Sequence, residues 1–128
     1  MKEVILLIED EESICAAFSD AMADQGVSVV TAMTGELGAE MYRTHQKEVN
    51  LVVLDLSLPG MSGEDTFRVL RRINPAVKVV ISSGYGDEYI KKTFKGMKLV
   101  GTFQKPYTYG TLIEGMAKFL AMVRNPSA

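Results

Sequence analysis

Short apolar runs alternate with segments of helical periodicity along the whole chain. The runs at 4–8 and 51–54 are continuous stretches of Val, Ile and Leu, and the second leads directly into Asp55. Continuous apolar runs of this length are typical of strands buried on both faces of a parallel sheet. Further runs at 27–32, 77–82 and 99–103 complete five predicted strands, and the mixed polarity of 27–32 indicates a position nearer an edge.

Each predicted strand is followed by an amphipathic segment that predicts a helix. Apolar side chains recur there at three- and four-residue spacing, and capping residues or glycines bound most of the segments. The boundary residues are Gly26, Thr34, Gln46, Ser62, Asn74, Asp87, Gly96 and Thr108, of which Thr34, Ser62, Asp87 and Thr108 are expected N-caps. The residues expected to face a core are Ile14, Phe18, Met22, Leu37, Met41, Phe67, Leu70, Ile73, Ile90, Phe94, Leu112, Met116, Phe119, Leu120 and Val123.

Regular alternation of strands and helices predicts an α/β fold of the (βα)5 type. Parallel crossovers are right-handed, so a doubly wound parallel sheet with helices on both faces is expected. No linker, repeat or low-complexity tract interrupts the 128 residues, which are expected to form a single domain over 1–128. In such sheets, ligands bind at the carboxyl ends of the strands.

Polar side chains follow four of the five strands at that edge. Glu9 and Asp10 follow the first strand, Asp55 ends the third, Ser83 follows the fourth and Lys105 follows the fifth. Three carboxylates in one pocket repel one another unless a cation lies among them. With no His or Cys nearby, the donors are oxygens, which favours Mg²⁺. A carboxylate beside Mg²⁺, a lysine and a hydroxyl suits phosphoryl transfer through an aspartyl phosphate.

Four segments together resemble the receiver domain of response regulators in two-component signalling. They are Ile8-Glu9-Asp10-Glu11, the stretch from Leu54 to Gly63, the stretch from Ser82 to Asp87, and Phe103-Gln104-Lys105-Pro106-Tyr107. The segments occur in the family's order and at similar separations, and the resemblance covers essentially the whole chain. It implies a flavodoxin-like sheet with strand order 2-1-3-4-5.

The resemblance implies a role for each residue at the reaction centre. Asp55 would accept a phosphoryl group from a phosphohistidine, Ser83 would hydrogen-bond that group, and Lys105 would pair with a phosphoryl oxygen or, before phosphorylation, with Asp55. The Lys105-Pro106 peptide would be cis. The implied partners are a sensor histidine kinase or a histidine phosphotransfer protein, with a possible downstream output protein or domain. The domain would be no enzyme beyond catalysing its own phosphorylation and dephosphorylation.

The resemblance also implies a metal site built from oxygen ligands. Asp10 and Asp55 would bind Mg²⁺ directly, Glu9 mostly through water, and Ser57 through its backbone carbonyl.

Two positions depart from the family pattern. Position 83 is Ser where Thr is commoner, which keeps the hydroxyl. The family's aromatic switch residue lies three positions before the lysine, where this chain has Thr102, and Phe103 lies two before. Alternate residues of a strand face opposite sides, so Phe103 is expected to point into a core. The output change is then expected to leave the site by another route.

Composition limits the other possibilities. A net charge of −2 does not suggest nucleic-acid binding, and no apolar run is long enough to span a bilayer. The lone Cys15 excludes an internal disulfide, fits a reducing compartment and is expected in the core. The start of the chain does not resemble a signal peptide, so a cytoplasmic location is expected. The chain stops at Asn125–Ala128 with no output domain following, which predicts either a stand-alone regulator or a piece of a longer protein. The segment 103–107 is similar to receivers at the ends of hybrid histidine kinases.

Several alternatives are weaker on the residues. An aspartyl-nucleophile phosphatase needs a second acid two positions on, where this chain has Ser57. A flavodoxin-like cofactor module needs a phosphate-cradling loop after the first strand, where the acids at 9–12 would repel phosphate. The complete set of acids, hydroxyl and lysine argues against a degenerate receiver that only binds partners.

Single residues also have simpler interpretations. Asp55 could cap the next helix, but Ser62 is better placed for that role. We interpret two groups of basic residues as solvated helix faces rather than as partner surfaces. They are Lys91, Lys92, Lys95 and Lys98, and Arg68, Arg71 and Arg72.

Overall fold

A computed structural model describes residues 3–124 of the chain. Residues 1, 2 and 125–128 lie outside the described part, as do the expectations that concern the very start and the Asn125–Ala128 tail. The elements are β1 (Val4–Ile8), α1 (Glu12–Asp24), β2 (Ser28–Ala32), α2 (Gly35–His45), β3 (Leu51–Asp55), α3 (Gly63–Ile73), β4 (Val79–Ser83), α4 (Asp87–Thr93), β5 (Gly101–Gln104) and α5 (Tyr109–Arg124).

The five strands form one parallel sheet in the order β2-β1-β3-β4-β5. This confirms the predicted doubly wound α/β architecture and its strand order. Within residues 3–124, no helix is both long and apolar enough to cross a membrane.

Two separate hydrophobic cores cover the faces of the sheet. Successive side chains of a strand point to opposite faces, so each central strand contributes to both. Leu7 and Val53 pack with α1 and α5, whereas Ile8 and Leu54 pack with α2, α3 and α4. Every residue of β3 and β4 is buried, which explains why their sequences show almost no polar alternation. Cys15 lies in the first core, as expected.

Side-chain caps begin three of the helices where the sequence predicts them. Thr34 Oγ1 accepts a hydrogen bond from the Leu37 backbone N–H at 3.0 Å, and Ser62 Oγ accepts from Asp65 at 3.1 Å. Thr108 Oγ1 accepts from the Thr111 N–H at 3.1 Å. Each cap satisfies a backbone donor that the helix itself leaves free and stabilises the helix by about 1 kcal/mol.

The prediction that Leu37 faces inward is wrong, because its side chain is 48% exposed. The buried face of α2 carries small residues instead, among them Gly38 and Ala39. A Cβ at position 38 would lie 2.5 Å from the Ile8 Cδ1 atom, so the helix approaches β1 more closely than a larger residue would allow. Small inward residues give no apolar signal, so the spacing does not show that Leu37 lies outside the buried face, whereas Met41 packs against the core as predicted.

Several predicted boundaries also shift by one or two residues. Strands predicted at 27–32, 77–82 and 99–103 are observed at 28–32, 79–83 and 101–104. Asp87 is wrong as a cap: it is the first residue of α4, and Gly86 occupies the cap position without a side-chain bond. Ends of elements are set by hydrogen bonds that the apolar pattern does not report.

Two aromatic rings lock β5 against α5. Phe103 is buried and meets Phe119 edge-on, with 5.3 Å between the ring centroids. The Phe103 ring lies where a Cβ at Gly115 would be, and the Phe119 ring does the same at Gly101. The expectation that Phe103 points into a core is thereby confirmed, and the ring has no room to turn while α5 stays in place.

Replacing Gly115 with alanine is expected to lower the free energy of unfolding by about 1–3 kcal/mol, because the added methyl collides with Phe103. Gly110 lies in the same helix, and a Cβ there meets only Thr108 Oγ1 at 4.0 Å. Gly110→Ala is therefore the matched control and should raise the free energy by about 0.5 kcal/mol through helix propensity. Urea denaturation of both variants measures the difference, and equal effects would contradict the packing argument.

Candidate functional site

The carboxyl edge of the sheet brings the three predicted carboxylates together. Glu9 and Asp10 follow β1, Asp55 ends β3, and these two strands are neighbours. One carboxylate oxygen from each of the three residues lies within 4.8 Å of the others. Glu9 is 1% exposed and Asp55 is 2% exposed, so two of the charges are almost fully removed from water. Such a cluster is unfavourable without a cation to compensate it.

Lys105 supplies one positive charge to the cluster. Its Nζ lies 2.6 Å from Glu9 Oε1 and 3.4 Å from Asp55 Oδ1, so its shorter contact is with Glu9. The Lys105 backbone N–H donates to the Ser83 carbonyl at 2.8 Å, which ties the loop after β5 to the end of β4. The Lys105–Pro106 peptide is cis, as the resemblance implies. One ammonium against three carboxylates leaves the pocket with excess negative charge.

Burial and charge act in opposite directions on this pair. Burial raises the pKa of the Glu9 carboxyl and the charge of Asp55 raises it further, while the Lys105 hydrogen bond lowers it. Burial disfavours the charged Lys105, but its hydrogen bond to Glu9 and the charge of Asp55 raise the pKa of the ammonium overall. The raised pKa keeps Lys105 charged, and the raised pKa of Glu9 shows that burial costs this carboxylate more than Lys105 returns.

Backbone contacts fix the position of Asp55. Its Oδ1 accepts a hydrogen bond from the Ser57 N–H at 3.1 Å, and the Leu56 N–H donates to the Ser82 carbonyl at 3.2 Å. A Cβ at Gly63 would lie 2.6 Å from the Leu56 Cα, so the start of α3 presses directly on this turn. Asp55 does not cap α3, because Ser62 does. The Asp55 carboxylate therefore has no role in starting the helix and belongs to the cluster at the carboxyl edge.

Ser83 ends β4 next to the carboxylate cluster. The residue is fully buried, and its Oγ accepts a hydrogen bond from the Tyr85 backbone N–H at 2.9 Å. Asp55 pairs with Ser82 in the sheet, so Ser83 lies one position further toward the carboxyl edge. The predicted hydroxyl is close to the site but is engaged by its own loop.

Sequence reasoning missed two hydroxyl groups near the site. Ser82 lies beside Asp55 in the sheet, and its Oγ is buried without a hydrogen-bond partner among residues 3–124. Tyr107 lies two residues after Lys105, and its ring centroid is 5.7 Å from that of Phe103. Burial raises the pKa of the Tyr107 hydroxyl. Alternate residues of a strand face the same side of the sheet, so Ser82 lies on the side of Val80. Because Ser82 also pairs with Asp55, this alternation is the signal that could have placed it at the site.

The donor set fits a hard divalent cation. All candidate ligands are oxygens, two carboxylates are buried beside each other, and one lysine does not balance their charge. Mg²⁺ is bound in proteins through few carboxylates and several waters. Glu9, Asp10 and Asp55 are therefore the described residues that could hold such an ion.

Comparisons with known proteins point to one family. The profile of the response regulator receiver domain matches residues 5–117. Sensor kinase CckA of Brucella abortus is 28% identical over 116 residues, which are 91% of this chain and 12% of the kinase. Sporulation initiation phosphotransferase F of Bacillus subtilis is 23% identical over 125 residues, which are 98% of this chain and 99% of that protein. The chain therefore spans only a small part of the kinase and nearly all of the phosphotransferase.

A solved structure agrees on the fold. The CheY-like receiver domain protein from Methanospirillum hungatei superposes with a TM-score of 0.84 at 20% identity, and the match covers 99% of this chain and 100% of that one.

Mg²⁺ at about ten times its dissociation constant is expected to raise the free energy of unfolding by about 1.4 kcal/mol, because an ion bound only by the folded state stabilises it. Asp55→Asn should remove most of this gain by deleting a buried ligand. Asp20→Asn, which changes an exposed carboxylate of α1, should keep it. Thermal unfolding with MgCl₂, against NaCl at equal ionic strength, measures the effect. An equal gain in all three proteins would place the ion elsewhere.

Proposed function

The chain belongs to the family of response regulator receiver domains, and on that premise we propose that it is a phosphorylation-controlled switch of a two-component phosphorelay. Asp55 is the proposed phosphoryl acceptor and phosphohistidine the proposed donor. One observation carries the proposal: a buried carboxylate at the carboxyl end of β3 lies against two further carboxylates and a lysine. In open α/β sheets this edge is where ligands bind.

The two oxygens of Asp55 are in different environments. Oδ1 accepts the Ser57 N–H and lies 3.4 Å from Lys105 Nζ. We therefore assign the nucleophilic attack to Oδ2. The Oδ2–phosphorus bond forms while the bond from phosphorus to the donor imidazole nitrogen breaks, and that nitrogen leaves with the electron pair and is protonated.

Lys105 and Ser83 are the proposed ligands of the transferred group. The ammonium, now 2.6 Å from Glu9, would contact a phosphoryl oxygen and offset its growing charge. The Ser83 hydroxyl would donate a hydrogen bond to a second oxygen. Both groups come from neighbouring strands, and the Lys105 N–H to Ser83 carbonyl bond keeps their backbones in register.

Receiver domains bind Mg²⁺ at an acidic pocket, and we propose Glu9, Asp10, Asp55 and the Ser57 carbonyl as the residues that hold it here. When bound, the ion offsets negative charge on the transferring oxygens. The excess of carboxylates over ammonium at the site supports this proposal.

The partners follow from the same chemistry. A sensor histidine kinase or a histidine phosphotransfer protein would supply the phosphoryl group, and an output protein or domain would respond. Receiver domains are generally phosphoaccepting switches, and we propose that this one catalyses only its own phosphorylation and dephosphorylation. A cytoplasmic location stays a prediction that rests on the family and the single cysteine.

Intact-mass spectrometry after incubation with acetyl phosphate tests the assignment of Asp55. The wild type is expected to gain a single phosphoryl adduct that depends on Mg²⁺, because the proposed acceptor Asp55 ends β3 beside two further acids and lies 3.4 Å from the Lys105 ammonium. Asp55→Asn should gain none, and Asp20→Asn should gain it as the wild type does. Absence of an adduct in the wild type, together with no binding of fluoroberyllate, would make the chain a degenerate receiver.

A further inference from the structure

Ser82 carries a buried hydroxyl group that has no partner. The residue is 1% exposed, and its Oγ forms no hydrogen bond within residues 3–124. An unpaired buried hydroxyl is unfavourable, because it gives up its hydrogen bonds to water and gains none in return. Alanine at this position would avoid that cost. The hydroxyl is therefore available to a group that reaches it in another state of the site.

The side chain of Lys105 passes over Ser82. Lys105 follows β5, yet its Nζ contacts Asp55 on β3 and Glu9 beyond β1. In the sheet β4 lies between β5 and β3, so the lysine side chain crosses β4 to reach these carboxylates. Ser82 is the residue of β4 that pairs with Asp55, and paired residues of neighbouring strands face the same side of the sheet. The Ser82 hydroxyl therefore lies beneath the lysine side chain.

Tyr107 brings a second hydroxyl group to the same place. Its ring packs on Phe103, which pairs with Ser82 in the sheet, and it lines the cleft beside α1 that Lys105 also lines. Burial raises the pKa of the Tyr107 hydroxyl, the charge of Lys105 lowers it, and the neighbouring Ser82 hydroxyl lowers it as well. The phenol oxygen thus lies near both groups, although Ser82 Oγ is not in hydrogen-bonding geometry with it.

The Lys105 ammonium has three N–H donors to satisfy in this pocket. Glu9 Oε1 accepts one of them at 2.6 Å, and Asp55 Oδ1 lies further away at 3.4 Å. When a phosphoryl group is bound to Asp55, the ammonium has to leave Glu9 to contact a phosphoryl oxygen. The N–H that pointed at Glu9 then needs another acceptor, because an unpaired donor on a buried charged group is very unfavourable.

We propose that Ser82 and Tyr107 are positioning residues for Lys105. Ser82 Oγ accepts a hydrogen bond from the ammonium when it leaves Glu9 for the phosphoryl group, and the Ser82 O–H donates to the Tyr107 oxygen. The ammonium exchanges one acceptor for another, so its pair with Glu9 breaks at a smaller cost. Neither hydroxyl touches the phosphoryl group. The proposal rests on the proposed function, since it needs a phosphoryl group or its mimic at Asp55.

Two substitutions of equal shape isolate the Ser82 hydroxyl. Ser82→Thr keeps the hydroxyl and Ser82→Val replaces it with a methyl group, so the effect of the added volume is common to both. Fluoroberyllate with MgCl₂ serves as the probe, because it mimics the phosphoryl group without a reaction. Ser82→Val should bind fluoroberyllate about tenfold more weakly than Ser82→Thr, through the loss of a hydrogen bond to a charged group. Equal affinities would overturn the role of Ser82.

Tyr107→Phe removes a single oxygen atom and keeps the ring on Phe103. It should weaken fluoroberyllate binding about threefold in the wild-type background and have no further effect in Ser82→Val, because the two hydroxyls act in series. Tyr109→Phe is the control and should bind as the wild type does, since the Tyr109 hydroxyl donates to Asp24 on α1. A threefold loss that persists in Ser82→Val would contradict the link between the two hydroxyls.

The ammonium resonance of Lys105 gives a readout that a purely structural role would not change. Its ¹H–¹⁵N signal is identified by its absence in Lys105→Arg. With saturating fluoroberyllate and MgCl₂, the ammonium hydrogens should exchange with water about tenfold faster in Ser82→Val than in Ser82→Thr, because one N–H has lost its acceptor. Equal exchange rates in the two variants would overturn the proposal.

Failure of the proposed function would give a different result. The wild type itself would then form no phosphoryl adduct and bind no fluoroberyllate, which overturns both proposals. An adduct and tight fluoroberyllate binding in the wild type, with equal affinities in Ser82→Thr and Ser82→Val, would overturn this inference alone.

Discussion

The placement of more negative than positive charge in a buried pocket is the constraint on which the site depends. Glu9 and Asp55 are both almost fully buried, and within the described part of the chain Lys105 is the one cation that forms an ion pair with them. Pairing each of these charges, or replacing them with well-packed apolar residues, would make the folded protein more stable. The sheet instead holds them together at its carboxyl edge, which is where ligands bind in open α/β sheets. The excess of carboxylate over ammonium charge is the electrostatic basis of the proposed cation site.

The fold and the main site residues could be predicted from the sequence because both depend on patterns within short segments of the chain. Continuous apolar runs marked β1 and β3, and the chemistry-bearing residues stood directly after strands. Parallel topology then required Asp10, Asp55 and Lys105 to share one edge. The caps at Ser62 and Thr34 were readable because a short polar side chain satisfies backbone donors only at the start of a helix.

What the sequence did not reveal depends on contacts between distant segments. Leu37 was assigned to the core because hydrophobicity alone cannot show that Gly38 lets α2 close on β1. The shorter contact of Lys105 with Glu9, rather than with Asp55, follows from side-chain geometry that no spacing encodes. Ser82 was overlooked beside its more familiar neighbour, although both lie on β4 and face opposite sides of the sheet.

The reciprocal packing of rings and glycines between β5 and α5 has a consequence for how such chains diverge. Phe103 occupies the volume above Gly115, and Phe119 occupies the volume above Gly101. A larger residue at either glycine collides with the ring opposite, so such a substitution costs least stability when the ring is replaced by a smaller side chain at the same time. Lineages that carry an aromatic at 103 should therefore keep glycine at 115, and those that move the ring elsewhere should lose that restriction. The residues found together at positions 103 and 115 in related receivers would then distinguish those whose β5 ring can move from those whose ring is fixed.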